Sequence, residues 1–389
     1  MVISMRTELA NLLTYSINNI PYYNEIFKNA PEKNHSELFK KFPIINKETI
    51  IRNYEDFIPF SAQKKIIDIL FSDNDLLNTI EISGEKYYIE STSGSSGMPM
   101  KLVKTLNDKI KLGRKIWKMR NQITPIDMKS FIDISHDEKY KNMPINDLIN
   151  TINNYKWIHL NTYDIEQIYK YSNNRSFEKK TIILENNGSF LPVVDREKYE
   201  KELSVKIIDH YGCMEVWMIA LGYDNQKLKI NENIILELVD ESGNIINETD
   251  KPGNIVVTSL CQRGMPFIRY KLTDKAIFLD DNKKFIKLIP NEDRIIKTKL
   301  YGNRVFKDII CYINSHYKIN YFEKIRVVQK ENQDFFVYIS NCSGAQEQLK
   351  KAFIKSFDLF VPNYKKNINF IFENYDNENL FKVEINEKR

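Results

Sequence analysis

The chain has 389 residues, 42% of them hydrophobic and 28% charged, with 57 Lys and Arg against 52 Asp and Glu for a formal charge of +5. That length allows more than one core, since single cores stop growing near about 250–300 residues. Three classes are excluded as first readings. No apolar run approaches the roughly 20 residues of a membrane span, and MVISMRTELANLL lacks the pattern of a cleavable signal, so the expectation is a cytoplasmic protein with no membrane partner. The lysines are interleaved with Asn, Ile and Glu rather than gathered in one block, so nothing in the sequence asks for a nucleic-acid partner and none is expected. Cys213, Cys261, Cys311 and Cys342 stand far apart with no CxxC pair, which argues against a zinc knuckle or a disulfide framework and for buried free thiols.

In chain order, apolar positions at helical spacing in LANLLTYSINNI and ELFKKF, broken by Pro21, Pro31 and Pro43, predict a helical layer over residues 1–70. The stretch YIESTSGSSGMPMKL then places a loop of hydroxyl residues and glycines between two strand-like segments. Its exposed amides and hydroxyls suit a phosphate cradle, and its composition equally suits a flexible linker. It is not a Walker loop, because Gly94 and Gly97 are too close and Met98 follows. TIILEN followed by REKYEKEL predicts a strand, a turn and a helix, hence an α/β core. From Asn233 the segments IILELVDESGNII, KPGNIVVTSL and MPFIRYKLTDKAIFLD predict antiparallel strands. Beyond about Pro290 FEKIRVVQ, DFFVYIS and GAQEQLKKAFIKSF predict a smaller unit of strands and a helix. No Ser/His/Asp or Cys/His constellation stands out.

Four segments in this order resemble the adenylate-forming superfamily of acyl-CoA synthetases and adenylation domains, most closely its phenylacetate-CoA ligase branch. The loop Ser91, Thr92, Ser93, Gly94, Ser95, Ser96, Gly97 resembles the superfamily loop around the ATP β- and γ-phosphates. His210-Tyr211-Gly212-Cys213-Met214-Glu215 resembles its Tyr-Gly-x-Thr/Ser-Glu motif. The resemblance implies that Tyr211 and Gly212 meet the adenine and that Glu215 holds Mg²⁺; Met214, standing for Thr or Ser, removes one hydroxyl. Pro266 to Asp274, PFIRYKLTD, is similar to P-L-I-R-Y-x-x-G-D, which implies that Asp274 accepts from the ribose hydroxyls, with Thr273 for Gly. Ile20-Pro21-Tyr22-Tyr23 and Phe42-Pro43-Ile44-Ile45-Asn46-Lys47 resemble the helical start of phenylacetate-CoA ligases, and Lys47 matches a lysine that reaches the phosphates.

The resemblance implies an α/β fold: a large multi-subdomain adenylate-forming domain over residues 1–292 and a small α+β C-terminal domain over 293–389. Asp293 would be the hinge and Arg294 the replacement for the family's missing Gly-Arg arginine. Lys382, in NLFKV with Phe for the usual Gly, matches the C-terminal catalytic lysine, and reads equally as a solvated surface lysine. The segment Leu221–Asn233 lacks the Cys and His that hold zinc in some relatives, so no structural zinc is expected.

The implied activity is Mg²⁺-ATP-dependent, AMP-forming activation of a small carboxylic acid, aryl or arylacetic by analogy with the branch, followed by transfer to CoA. The alternative acceptor is the phosphopantetheine of an acyl carrier protein; a catalytically degenerate nucleotide- or acyl-binding homologue is the other class retained. The acyl pocket is expected between Ser130–His136, the strand after Thr181 and Tyr211–Trp217, with Phe131, His210 and Trp217 as its candidates. His210 reads either as a ligand contact or as a hydrogen-bonded core histidine.

Overall fold

Proline joints and helical apolar spacing cut the first 70 residues into short helices, as the sequence predicts. The computed structural model describes residues 2–28, 35–70, 79–92, 100–141, 143–172, 177, 182–187, 191, 193–222, 227–289, 295–298, 302–305, 324–330, 334–340, 346–360, 368–372 and 381–386. Helices α1 (Val2–Asn19), α2 (Pro21–Phe27), α3 (His35–Lys41), α4 (Lys47–Arg52) and α5 (Gln63–Leu70) precede strands β1 (Thr79–Ile82), β2 (Glu85–Ser91) and β3 (Lys101–Thr105). Helix and strand then alternate through α6 (Leu106–Ile123), β4 (Phe131–Asp133), α7 (Glu138–Lys141), α8 (Ile145–Ile152), β5 (Trp157–Leu160), α9 (Thr162–Tyr171), β6 (Ile182–Asn187), α10 (Val193–Leu203) and β7 (Val205–Cys213). Strands β8 (Trp217–Gly222), β9 (Leu228–Ile230), β10 (Ile234–Val239), β11 (Ile245–Ile246), β12 (Gly253–Ser259), β13 (Tyr270–Phe278) and β14 (Phe285–Ile289) follow. The chain ends with β15 (Ile295–Thr298), β16 (Gly302–Val305), β17 (Lys324–Lys330), β18 (Phe335–Ser340), α11 (Gln346–Phe360), β19 (Ile368–Phe372) and β20 (Phe381–Asn386). Among the described residues no helix is long and apolar enough to cross a membrane.

The chain divides into two compact units, the first made of Met1–Thr92, Met100–Pro125 and Tyr211–Ile289. Its N-terminal helices pack through an aromatic cluster: Tyr22 stacks on Phe57 at 4.4 Å and Phe27 on Phe42 at 4.4 Å. Pro21 opens α2 at its first turn, where the missing N–H leaves no bond unmade. Strands β1, β2 and β3 form one antiparallel sheet, and β11-β10-β12-β13-β14-β9-β8 run antiparallel in that order. The helical layer is stitched to β13: Ile45 N–H donates to the Arg269 carbonyl at 3.0 Å and Lys271 N–H to the Ile45 carbonyl at 2.7 Å. Arg269 has φ +51°, and its guanidinium is held by Glu237 at 3.0 and 3.2 Å and by the Phe42 carbonyl at 2.9 Å. The sequence segment Phe42 to Lys47 is thereby fixed beside the strand that carries Asp274.

Helix α6 starts at a capping box between Thr105 and Asp108. The buried Asp108 carboxylate also accepts from the Arg263 and Gly264 amides, each at 2.8 Å. Gly264 is required there, because a Cβ would lie 2.9 Å from the Val103 carbonyl oxygen.

The second unit includes Ile126–His210 and Pro290–Arg389. Strands β4, β5, β6 and β7 are parallel neighbours. WIHL of β5 is buried throughout, as expected of a parallel strand covered on both faces. Ile152, Ile165, Ile168 and Leu203 from α8, α9 and α10 share a core with Leu160, Leu184 and Ile207 from the strands. In the C-terminal part β19-β18-β17-β20 form a mixed sheet, and α11 packs on it through Phe357 against Phe335, with centroids 5.0 Å apart. The expected boundary at 292/293 falls within residues 290–294, outside the described residues.

Candidate active site

In the first unit the site is built on the turn Met214–Glu215–Val216 between β7 and β8. Glu215 is 8% exposed, and its Oε1 accepts from the Tyr270 hydroxyl at 2.9 Å. Gln262 Nε2 donates to the Glu215 carbonyl at 2.8 Å, and Lys104 Nζ donates to the Met214 carbonyl at 2.8 Å. Two consecutive carbonyls of the turn are therefore captured by buried side chains, which fixes the direction of the Glu215 carboxylate. Trp217 follows with φ +63°, a conformation costing an indole-bearing residue about 1–3 kcal/mol that its surroundings must offset.

Lys104 is a residue the sequence reading did not single out. Its side chain has no exposure, and its Nζ lies 2.9 Å from Glu90 Oε2, while Lys109 Nζ lies 2.7 Å from Glu90 Oε1. Burial pulls the Lys104 pKa below its ordinary value, although Glu90 and Glu215 oppose that change. Burial pushes Glu90 up, but the two ammonium groups outweigh it and hold its carboxyl below the usual range. Both ammonium groups also lie near the Trp217 ring, at 5.9 and 5.7 Å. The available signal was a lysine in the otherwise apolar run LVK of β3, where pleat and burial leave little room for a free charge.

Tyr211 and Asp274 stand 63 residues apart in sequence and meet here: the Tyr211 hydroxyl donates to Asp274 Oδ2 at 3.1 Å. Burial, then the Asp274 carboxylate, pushes the Tyr211 hydroxyl well above its usual pKa, so it remains a donor. Gly212 lies next to Tyr211 in β7. Lys47 opens α4 behind the Asn46 cap; burial lowers its pKa and the negative charge of Glu215 opposes the shift. Thus Lys47, Glu215, Tyr211 and Asp274 all belong to this unit. Cys213 is half-buried and Cys261 buried, both as free thiols.

The loop Ser91 to Gly97 is described only at its start. Ser91 ends β2, and Thr92 closes the base of the loop with Met100 through two bonds of 2.9 Å. Ser93, Gly94, Ser95, Ser96 and Gly97 lie outside the described residues, as do Asp293 and Arg294. Lys382 lies in β20, in parallel register with Arg326 of β17.

In the second unit, Phe131 lines a cavity of about 630 Å³ together with Asp133, His136, Tyr140 and Tyr155. His210 Nδ1 lies 2.8 Å from Glu185 Oε1. The sequence showed no Ser/His/Asp grouping, yet Ser135, His136 and His159 converge on Asp133: Ser135 Oγ donates to Asp133 Oδ1 at 3.0 Å and lies 3.2 Å from His159 Nδ1. Ser135 and His136 lie within three residues of Asp133, and the parallel register of β5 beside β4 adds His159. It is not a nucleophile triad, because serine and carboxylate meet the same His159 nitrogen, Asp133 at 3.0 Å.

No family model matches the chain. Botulinum neurotoxin type E of Clostridium botulinum is 22% identical over 333 residues, covering 77% of this chain and 25% of that protein. Its counterpart from Clostridium butyricum is 23% identical over 334 residues. The chain thus spans about a quarter of the length of the curated relatives it matches. Among solved structures, 2-hydroxyisobutyryl-CoA ligase with an acyl-AMP and CoA in the thioesterification state superposes with a TM-score of 0.57 at 12% identity, covering 98% of this chain and 89% of that one. The same ligase in its postadenylation state gives 0.54 at 13% identity, covering 100% of this chain and 89% of that one. The chain has the α/β fold of the adenylate-forming ligases, in agreement with the motif resemblance.

Proposed function

We propose that the protein activates a carboxylic acid with Mg²⁺-ATP to form an acyl adenylate and pyrophosphate, and then transfers the acyl group to the thiol of CoA. The observation that carries this reading is the convergence, within one unit, of a Tyr211–Asp274 pair at 3.1 Å and a Glu215 carboxylate clamped by Tyr270 at 2.9 Å. Those are the residue types needed for an adenosine and a hard cation. The fold neighbours support the same chemistry, since the 2-hydroxyisobutyryl-CoA ligase structures hold an acyl-AMP, one of them with CoA.

Asp274 would accept from the ribose hydroxyls and Tyr211 with Gly212 would face the adenine. Glu215 fits Mg²⁺: it is a buried carboxylate, and hard oxygen donors are what that ion prefers. The ion's contribution there is to neutralise phosphate charge. Lys47, Ser91, Thr92 and the loop through Gly97 are assigned to the phosphates. Asp293 is assigned as hinge, Arg294 to the ribose and Lys382, in a small C-terminal domain over 293–389, to the charge that develops as pyrophosphate leaves. An aryl or arylacetic acid follows from the branch resemblance, and the Trp217 indole and Phe131 are the aromatic surfaces offered to it. Acid-dependent exchange of pyrophosphate into ATP tests the assignment. Glu215→Gln should lower exchange by about 10²-fold or more, and unchanged exchange in the folded variant removes Glu215 from the reaction.

A further inference from the structure

Parallel register places four chemistry-bearing side chains in one row at the carboxyl end of the second unit's sheet. Asp133 of β4 is opposite His159 of β5, and His159 is opposite Glu185 of β6. Glu185 is opposite Ile208 of β7, and His210 lies two residues further on, so the pleat returns it to the same face. The carboxyl ends of parallel strands are where open α/β sheets place their ligands. Three of the chain's five histidines gather here: His136 stacks on His159 at 5.3 Å and His159 lies 5.3 Å from His210.

One atom in the row is unsatisfied. The His159 side chain is 4% exposed, and its Nδ1 lies 3.0 Å from Asp133 Oδ1, while its Nε2 faces Glu185 Oε1 across 3.8 Å. That buried Nε2 has no hydrogen-bond partner. At 3.8 Å the Nε2 is beyond hydrogen-bond reach of that carboxylate, and its lone pair, when unprotonated, points at it. A cation in the gap satisfies both groups.

We propose that His159 Nε2, His210 Nδ1 and Glu185 Oε1 form a binding site for a divalent transition metal ion such as Zn²⁺, with a fourth position open to water or a ligand oxygen. The three donor atoms lie within 4.8 Å of one another, and the spacings of 2.8 and 3.8 Å to Glu185 bracket the edge of about 3.3 Å that a tetrahedron with 2.0–2.1 Å bonds requires. Two imidazoles and one carboxylate are a donor set that leaves a position open. The supports around such ligands are also present. Asp133 takes the far nitrogen of His159, and Trp157 Nε1 donates to the other oxygen of Glu185. With the carboxylates of Glu185 and Asp133, a dication brings the row to zero net charge, which suits a Glu185 side chain with no exposure. The cavity of about 630 Å³ beside Asp133 and His136 gives ions access to the row.

The test is titration of the chelator-treated full chain with Co²⁺ and Zn²⁺, reading visible d–d absorption, stoichiometry and affinity. The expected result is one ion per chain with low-symmetry Co²⁺ bands, uptake abolished in Glu185→Gln, and affinity reduced about 10–100-fold in Asp133→Asn. His136→Ala, which alters an exposed side chain, should retain the ion. No stoichiometric uptake by the folded wild-type chain overturns the proposal. Uptake lost in His136→Ala and retained in Glu185→Gln overturns it too, moving the ion to the Asp133–His136–His159 grouping. Should Glu185→Gln fail to fold, the Asp133→Asn and His136→Ala pair decides.

Discussion

Removing either partner of the Lys104–Glu90 pair should destabilise the protein by different amounts, and the structure fixes the order. In Glu90→Gln the Lys104 ammonium, with no side-chain exposure, retains only the Met214 carbonyl and the amide introduced at position 90. Stranding a buried charge in this way costs about 3–5 kcal/mol, and the nearby negative Glu215 places this case at the lower end. In Lys104→Met the apolar stem is replaced at similar volume, and Glu90 keeps Lys109 at 2.7 Å and 16% side-chain exposure. The losses are one charge-assisted bond, about 1.5–3 kcal/mol, and the unpaired Met214 carbonyl, about 1–3 kcal/mol. Relief of the ammonium's desolvation offsets several kcal/mol of this. The expected net costs are about 3 kcal/mol for Glu90→Gln and about 1–2 kcal/mol for Lys104→Met. The folded-state pKa of Glu90 is depressed below its ordinary 4.5, so its contribution is fully present above that value and is lost as the pH falls through the folded value. Urea unfolding at pH 7 and at stepwise lower pH measures both effects. A larger cost for Lys104→Met than for Glu90→Gln, or an unchanged acid limb in Glu90→Gln, would refute the reasoning.

Asp274→Ala should weaken ATP binding by about 10-fold or more through lost charged hydrogen bonds, read by calorimetry; wild-type affinity would show that Asp274 does not meet the nucleotide. Tyr270→Phe removes the bond that orients Glu215 and should raise the Mg²⁺ concentration needed for half-maximal exchange while costing about 1 kcal/mol of stability. An unchanged Mg²⁺ dependence would separate Tyr270 from that carboxylate's function. Lys382→Ala should cripple adenylate formation with the thermal melting temperature unchanged; full activity would return Lys382 to the solvated surface.

Local signals made much of the fold legible. The helical layer, the hairpin around the Ser/Gly loop, the β6–α10 unit and the late antiparallel strands each carry their own period and turn residues. The motif residues Tyr211, Glu215 and Asp274 were legible because they lie in short strings whose order matches a known arrangement. What stayed hidden was non-local. Lys104 has meaning only once Glu90 and the Met214 carbonyl fold onto it, and the row Asp133, His159, Glu185 and His210 exists only through the register of four strands. The sequence signal for that row is a polar residue within each apolar strand segment, FID, WIHL, IILEN and KIIDHY, and no single strand shows that the four coincide.

The most direct test of the central claim is carboxylate-dependent release of pyrophosphate from Mg²⁺-ATP, with hydroxylamine present to trap the acyl adenylate. The panel should span aryl, arylacetic, hydroxy and short aliphatic acids. The account predicts release, with the matching hydroxamate, for one structural group of acids, aryl or arylacetic first among them. Binding of ATP with no release for any acid in the panel would contradict it and make the chain a ligand-binding relative of the fold.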